Sequence, residues 1–163
     1  MPMPLYAFVQ GKQQGKIEGS CTIKGREGAI QVQAYDYSVE LPKNPQSGLP
    51  TGRRVHNPIT ITKEIDKSSP KLFQALCTGE QMTKVTLDWY RINPQGKEEK
   101  YYTTELENAT IVAMKDWMPN VLRAEDRQMG HMEDVSFAFE KITVTWADGG
   151  ISGEDSWINP NKS

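Results

Sequence analysis

Histidine and cysteine are scarce in this chain, two of each in 163 residues, and that scarcity narrows the chemistry first. His131 has no second histidine four residues on, no His-Glu-x-x-His pattern and no cysteine pair beside it, so it reads as a surface side chain rather than a metal ligand. Cys21 and Cys77 stand at no diagnostic spacing and read as free thiols, which points to no oxidising compartment. No stretch approaches the 18 or so apolar residues that a membrane-spanning helix needs, so membrane insertion is not expected. The opening Met1-Pro2-Met3-Pro4-Leu5 lacks a charged segment followed by an apolar one, so no secretory signal is expected and the chain should fold in the cytoplasm. Charge of one sign is also missing. With 19 basic and 21 acidic side chains the net charge is −2, which argues against nucleic acid or an anionic membrane as partner.

Catalytic motifs are equally thin. Ser152 in Gly150-Ile151-Ser152-Gly153 does not complete a Gly-x-Ser-x-Gly elbow. The Asp148–Gly153 stretch imitates a calcium loop, but position 3 is Gly150 and position 12 is Asn159, so the middle ligand and the bidentate glutamate are missing. Gly11-Lys12-Gln13-Gln14-Gly15-Lys16 is one residue short of a phosphate-binding loop and runs into Ile17 where Ser or Thr belongs, so it reads as a turn between strands. The Asn108-Ala109-Thr110 sequon carries no weight without a secretory route. Glu98-Glu99 and Glu154-Asp155 read as solvated carboxylates. No cofactor is expected.

What the sequence has in quantity is period-2 alternation. Ile59, Ile61 and Ile65 alternate with Thr60, Thr62 and Glu64; Val85, Leu87 and Trp89 with Thr86, Asp88 and Tyr90. Val135, Phe137 and Phe139 share one face, as do Ile142, Val144 and Trp146. Successive strand side chains point to opposite faces, so these are strands with one face buried. Asn93-Pro94-Gln95-Gly96 reads as a hairpin turn before the Tyr101-Tyr102 strand. Within Ile30–Leu41 the apolar set moves from even positions to odd ones, which predicts a bulge or a strand buried on both faces. Ser68-Ser69-Pro70 opens a short helix carrying Leu72, Phe73 and Leu76 as its apolar stripe, and Gly79 closes it. Val121–Arg127 is a weaker helical candidate. The polar tail after Trp146 is expected to be pinned by Trp157. Pro42–Pro58 holds four prolines and two glycines with almost no apolar pattern. A 17-residue connection of this kind is uncommon within a compact domain. It carries Lys43, Arg53, Arg54 and His56, and reads either as a solvated loop or as an arm that reaches a partner.

Several stretches together then become specific. Gly25-Arg26-Glu27-Gly28-Ala29-Ile30 is followed by Arg54-Val55-His56-Asn57-Pro58, and then by Lys63-Glu64-Ile65-Asp66-Lys67-Ser68-Ser69-Pro70 with the helix ending at Thr78-Gly79. Trp89-Tyr90-Arg91-Ile92-Asn93, Thr103-Thr104-Glu105-Leu106-Glu107-Asn108-Ala109, Glu140-Lys141-Ile142-Thr143 and Asp155-Ser156-Trp157 come next. In this order the chain resembles the haemolysin-coregulated protein (Hcp) family, tube subunits of the bacterial type VI secretion system, over essentially its whole length. The resemblance implies a mainly β fold: two packed antiparallel sheets forming a small β-barrel, with one short α-helix docked on its side, as one domain over residues 1–163. It implies six-membered rings that stack into a tube, surrounded by a contractile sheath and capped by a spike protein. It further implies small effector proteins carried and chaperoned in the channel, and export of the tube by the machine itself without a signal peptide. Lys43, Arg53, Arg54 and His56 fall where the family has an extended loop that contacts a neighbouring ring. With Ser163 as the last residue of the sequence, no toxin domain is expected after the barrel. The family reading is of a structural protein and not an enzyme.

Three other readings compete. A phage tail-tube protein would share the architecture. A monomeric β-sandwich binding sugar or peptide would need exposed aromatics, with Trp117 and Trp157 as candidates. A hydrolase would have to be built on His131 and Asp134, and replacing His131 with alanine would then abolish its turnover.

Overall fold

The structure, a computed structural model, describes residues 3–157. Met1 and Pro2 of the N-terminal reading, Asn159 of the rejected calcium loop and the terminal Ser163 lie outside them.

The alternating segments form strands, and antiparallel pairing closes six of them into a barrel. In chain order the strands are β1 (Leu5–Gly11), β2 (Gly15–Ile17), β3 (Ile30–Asp36), β4 (Val39–Glu40), β5 (Val55–His56) and β6 (Ile59–Glu64). The helix α1 (Ser69–Thr78) follows, then β7 (Gln81–Ile92), β8 (Glu98–Trp117), β9 (Met132–Ala138), β10 (Lys141–Trp146) and β11 (Ile151–Ser156). The barrel runs β8-β7-β1-β3-β6-β9 and returns to β8. Closure depends on the length of β8. One edge of β8 pairs with β7; along its other edge β10 covers Tyr102–Glu107 and β9 covers Thr110–Trp117. Asn108 sits where the second edge changes partner, with φ at 52°, a left-handed conformation that asparagine tolerates better than other residues with a Cβ. Its Nδ2 donates to Glu140 Oε2 at 3.0 Å, at the bend between β9 and β10. β11 extends the sheet beyond β10, and β4 and β5 form a separate two-stranded sheet.

The inward side chains make the core: Ala7, Ile30, Ile59, Ile61, Val85, Leu106, Val135 and Phe137 are all at most 1% exposed. Fully burying a side chain of the larger kind stabilises by about 1.5–3 kcal/mol, which is why the alternation dictates the pairing register. The phase change in Ile30–Leu41 is a bulge: the β3–β6 register shifts between Val32 and Ala34, so Gln33 is extra and Tyr35 and Tyr37 turn inward. The turn at Asn93–Gly96 forms as expected, with Asn93 Oδ1 accepting from the backbone N–H groups of Gln95 and Lys97.

Three expectations need correction. In α1 the buried residues are Ser69, Leu72 and Ala75, whereas Phe73 is 59% exposed, because the face toward the barrel is set by the i, i+3 row from Leu72. Val121–Arg127 forms only one 3₁₀ turn, Ala124–Asp126; Val121 and Leu122 face solvent, so no apolar stripe exists to stabilise a longer helix. Pro42–Pro58 is not structureless. β5 pairs with β4 at its end, and a bridge joins Lys43 to Pro50 within it.

Candidate functional site

The loop 41–54 leaves the barrel between β4 and β5 as a hydrogen-bonded protrusion. Asn44 N–H donates to Leu49 O and Gly48 N–H to Asn44 O, both at 2.8 Å, and Thr51 N–H donates to Pro42 O at 2.8 Å. Asn44 Oδ1 accepts from the Gln46 backbone at 2.8 Å, an Asx turn that shapes the tip. Leu41 and Leu49 stand 50% and 65% exposed. Lys43 and Arg53 are exposed on the same protrusion.

Arg54 and His56 point the other way, into the base. Arg54 Nε donates to Asp155 Oδ2 at 2.7 Å, and one terminal nitrogen reaches Asp155 Oδ1 at 3.3 Å and Ser156 O at 2.8 Å. His56 Nε2 lies 2.6 Å from Asp155 Oδ2, and its Nδ1 lies 2.6 Å from the Tyr37 hydroxyl. Phe139 and Trp157 pack edge-on against the imidazole at 5.3 and 5.1 Å, and the Arg54 guanidinium lies over the Trp157 ring at 5.6 Å. The hydrogen bond from Arg54, assisted by that from His56, holds the Asp155 carboxyl below its ordinary value, while burial pushes the Tyr37 hydroxyl up. The four basic residues grouped in the sequence are thus divided. Lys43 and Arg53 stay on the protrusion; Arg54 and His56 staple its base to β11, about a hundred positions away in sequence. Trp157 pins the tail as expected.

The Tyr37–His56–Asp155 chain has the outline of a proton relay, but Arg54 takes the outer lone pairs of Asp155 and aromatic rings cover the imidazole. Its chemistry is that of a clamp. His131 is exposed, and Asp134 Oδ1 accepts from Thr62 Oγ1 at 2.7 Å. Among the described residues no hydrogen bond or ion pair joins His131 to Asp134, and no group of three or more His, Cys, Asp or Glu side chains could hold a metal. Among them, too, no helix is long and apolar enough to cross a membrane.

A second cluster escaped sequence reading. Lys63 continues the buried phase of Ile59 and Ile61 and is 0% exposed. Its Nζ lies 3.0 Å from Glu133 Oε1, 3.2 Å from Asp66 Oδ1 and 3.0 Å from Ser69 Oγ. Ser69 Oγ also accepts from the Asp66 backbone N–H, and Ser68 Oγ donates to Asp66 Oδ1, so Ser68 holds the turn before α1 rather than capping the helix. Burial, and then a hydrogen bond with Asp116, pushes the Glu133 carboxyl up. The network borders a groove of about 400 Å³ between α1 and the ends of β8 and β9. The signal was present in the sequence: a lysine on the inward phase of a strand, with Asp66 and Ser69 following at three-residue steps.

Three of the carboxylates read as solvated reach solvent and also carry ion pairs. Glu98 meets Arg26 at 2.7 Å, Glu99 meets Arg91 at 3.0 Å, and Glu154 meets Lys141 at 3.3 Å. Arg26 stacks on Tyr6 and Tyr90 at 4.9 and 4.3 Å, and Arg91 on Tyr101 and Trp146 at 5.1 and 5.3 Å. The motifs scattered along the sequence are therefore joining points of the fold.

A closed six-stranded barrel with one docked helix and a clamped protruding loop places the chain in the class of small antiparallel β-barrel proteins. Comparison with known proteins gives the family. Residues 6–146 match the family model described as "Type VI secretion system effector, Hcp". The "Major exported protein" of Pseudomonas aeruginosa is 43% identical over 169 aligned residues, covering 98% of each chain. Among solved structures, Hcp1 from E. coli EAEC 042 superposes with a TM-score of 0.86 at 35% identity, covering 96% of this chain and 99% of that one. Secreted protein Hcp3 from Pseudomonas aeruginosa gives 0.78 at 38% identity, covering 96% and 99%. The chain belongs to the Hcp family of the type VI secretion system.

Proposed function

We propose that this chain is a structural subunit of the type VI secretion tube, working as a single barrel domain. Six copies form a ring, rings stack into a tube, and the tube is expelled carrying small effector proteins in its channel. Sheath and spike proteins are its partners in the machine. The tube assembles in the cytoplasm and leaves with the machine, without a signal peptide; the name of the Pseudomonas aeruginosa relative, an exported protein, supports the export itself. The structural observation that carries the reading is the clamped protrusion. A loop bonded internally and stapled at its base by Arg54, His56 and Asp155 is ordered before it meets anything, which lowers the entropic cost of a contact. Lys43 and Arg53 supply its contact to the neighbouring ring, and Arg54 and His56 hold it in place.

Light scattering after size-exclusion chromatography, with negative-stain imaging of the peak, tests the ring. Six chains of 18.4 kDa give about 110 kDa. One species near that mass, imaged as open rings, is the expected result. A species that stays near 18.4 kDa at high concentration would refute it.

A further inference from the structure

The β7–β8 hairpin and the β10–β11 turn border a cleft of about 320 Å³, the small end of the range for ligand sites. A β-bulge shapes it. In the β7–β8 pairing Trp89 faces Tyr102 and Tyr90 faces Lys100, so Tyr101 is extra and has no partner on β7. A bulge bends its strand and re-aims a side chain. Here the Tyr101 ring meets Trp146 of β10 at 5.8 Å and 80°. The Arg91 guanidinium lies over both rings, and its Nε donates to Glu99 Oε1 at 3.0 Å. That bond uses one N–H of Arg91 and one oxygen of Glu99, so each has further bonding capacity. Asp148 lies in the turn, and its carboxylate has no hydrogen bond or ion pair among the described residues. Trp146 is 37% exposed.

The lining balances its charges, with Arg91 and Lys100 against Glu99 and Asp148. A charged ligand would gain from one pair and be repelled by the other. Charged donors and acceptors beside two aromatic rings suit a neutral polyol that also has an apolar face, and a pyranose ring is such a molecule. Its neighbouring hydroxyls both donate and accept, so they take paired bonds from a guanidinium and a carboxylate. Its ring C–H groups, slightly positive, pack on the electron-rich face of an indole or phenol. We infer that this cleft binds a neutral sugar, with the C–H face of a pyranose against Trp146 and its hydroxyls on Arg91, Glu99 and Asp148. The site is separate from the clamp at His56 and does not depend on the ring reading. The aromatics that sugar binding calls for are thus Tyr101 and Trp146, whereas Trp157 is spent on His56 and Arg54.

Saturation-transfer difference NMR on the native assembly tests the site. The probes are the methyl glycosides of glucose, galactose, mannose and N-acetylglucosamine. At least one should take up saturation, most strongly at its ring C–H protons. Trp146→Ala should abolish the signal. Asp148→Ala removes a carboxylate without contacts in the fold and should weaken binding roughly tenfold, the usual loss for one hydrogen bond to a charged group. Phe73→Ala, on α1 and outside the cleft, should change nothing. Circular dichroism checks each variant, and Asp148→Ala decides alone if Trp146→Ala fails to fold. Affinity electrophoresis through dextran or mannan separates the sources: retardation that Asp148→Ala removes assigns the site to the sugars of a polysaccharide, and binding of glycosides alone assigns it to free sugar. If no glycoside takes up saturation, or if one does so equally in wild type and Asp148→Ala, the inference falls and the ring reading stands. If sodium sulfate displaces the glycoside at constant ionic strength, the cleft is an anion site and the inference falls as well.

Discussion

Two aspartates show how placement overrides residue type. Asp155 accepts from Arg54 and is held below its ordinary pKa, whereas burial pushes Asp88 up, with one oxygen that has no hydrogen-bond partner among the described residues and Lys100, 4.0 Å away, partly offsetting the burial. The linkage runs in opposite directions. Asp155 contributes stability that is present above the unfolded carboxyl pKa of about 4 and is lost as pH falls through its lower folded value. Asp88 contributes its share at low pH and loses it as pH rises through its raised folded value. Asp155→Asn should therefore reduce the drop in melting temperature on acidification below about pH 4, and lower the melting temperature at pH 7. Asp88→Asn should flatten the loss that accompanies rising pH without lowering the neutral-pH melting temperature. Thermal denaturation across a pH series reads both. Lys63 makes a harsher demand. Lys63→Met leaves Glu133 and Asp66 facing an apolar plug, and removing one partner of a buried ion pair costs about 3–5 kcal/mol. That cost should be larger at pH 8 than at pH 5, where the carboxyls can take up protons. Urea unfolding at the two pH values measures it.

Elements end where the local chain supplies a reason. α1 stops at Gly79, whose φ of 69° sends the chain left-handed and lets its N–H reach the Ala75 and Leu76 carbonyls. A Cβ there would meet nothing within 4 Å, so the penalty of substitution is conformational alone. Gly79→Ala should cost about 1 kcal/mol in chemical denaturation, with α1 otherwise retained by circular dichroism. The 20-residue β8 has no such stop. It bends at Asn108 and exchanges one partner for another, which lets a single strand serve both walls of the barrel.

At the scale of the molecule, barrel and protrusion are separable. Among the described residues the buried core skips from Val32 to Ile59, so nothing on the protrusion supports the barrel interior. Replacing residues 43–52 with a short glycine linker should leave the melting temperature within about 3 °C, since shortening a loop changes closure entropy by only a few tenths of a kcal/mol. Rings should still form and stacking should be lost. Differential scanning fluorimetry and negative-stain imaging would show whether the two properties part in this way.

The sequence by itself determined the alternating strands between Ile59 and Trp146, the hairpin at Asn93 and the end of α1 at Gly79, and it narrowed the phase change near Gln33 to a bulge or a strand buried on both faces, because period-2 burial and turn chemistry are local and leave marks within a few residues. The ordered motifs were also sufficient for the family, and the separate closures of the barrel explain why those motifs are spread along the chain. Only the tertiary structure decided where the basic residues of the 42–58 segment point. Adjacent residues on an extended chain face opposite ways, and Arg54 and His56 are turned inward by Asp155, a partner about a hundred positions distant. The Lys63–Glu133 pair arises in the same way. Its two halves lie 70 residues apart and meet because β6 and β9 pair in one register, a choice made by the whole barrel as it closes and by no segment alone.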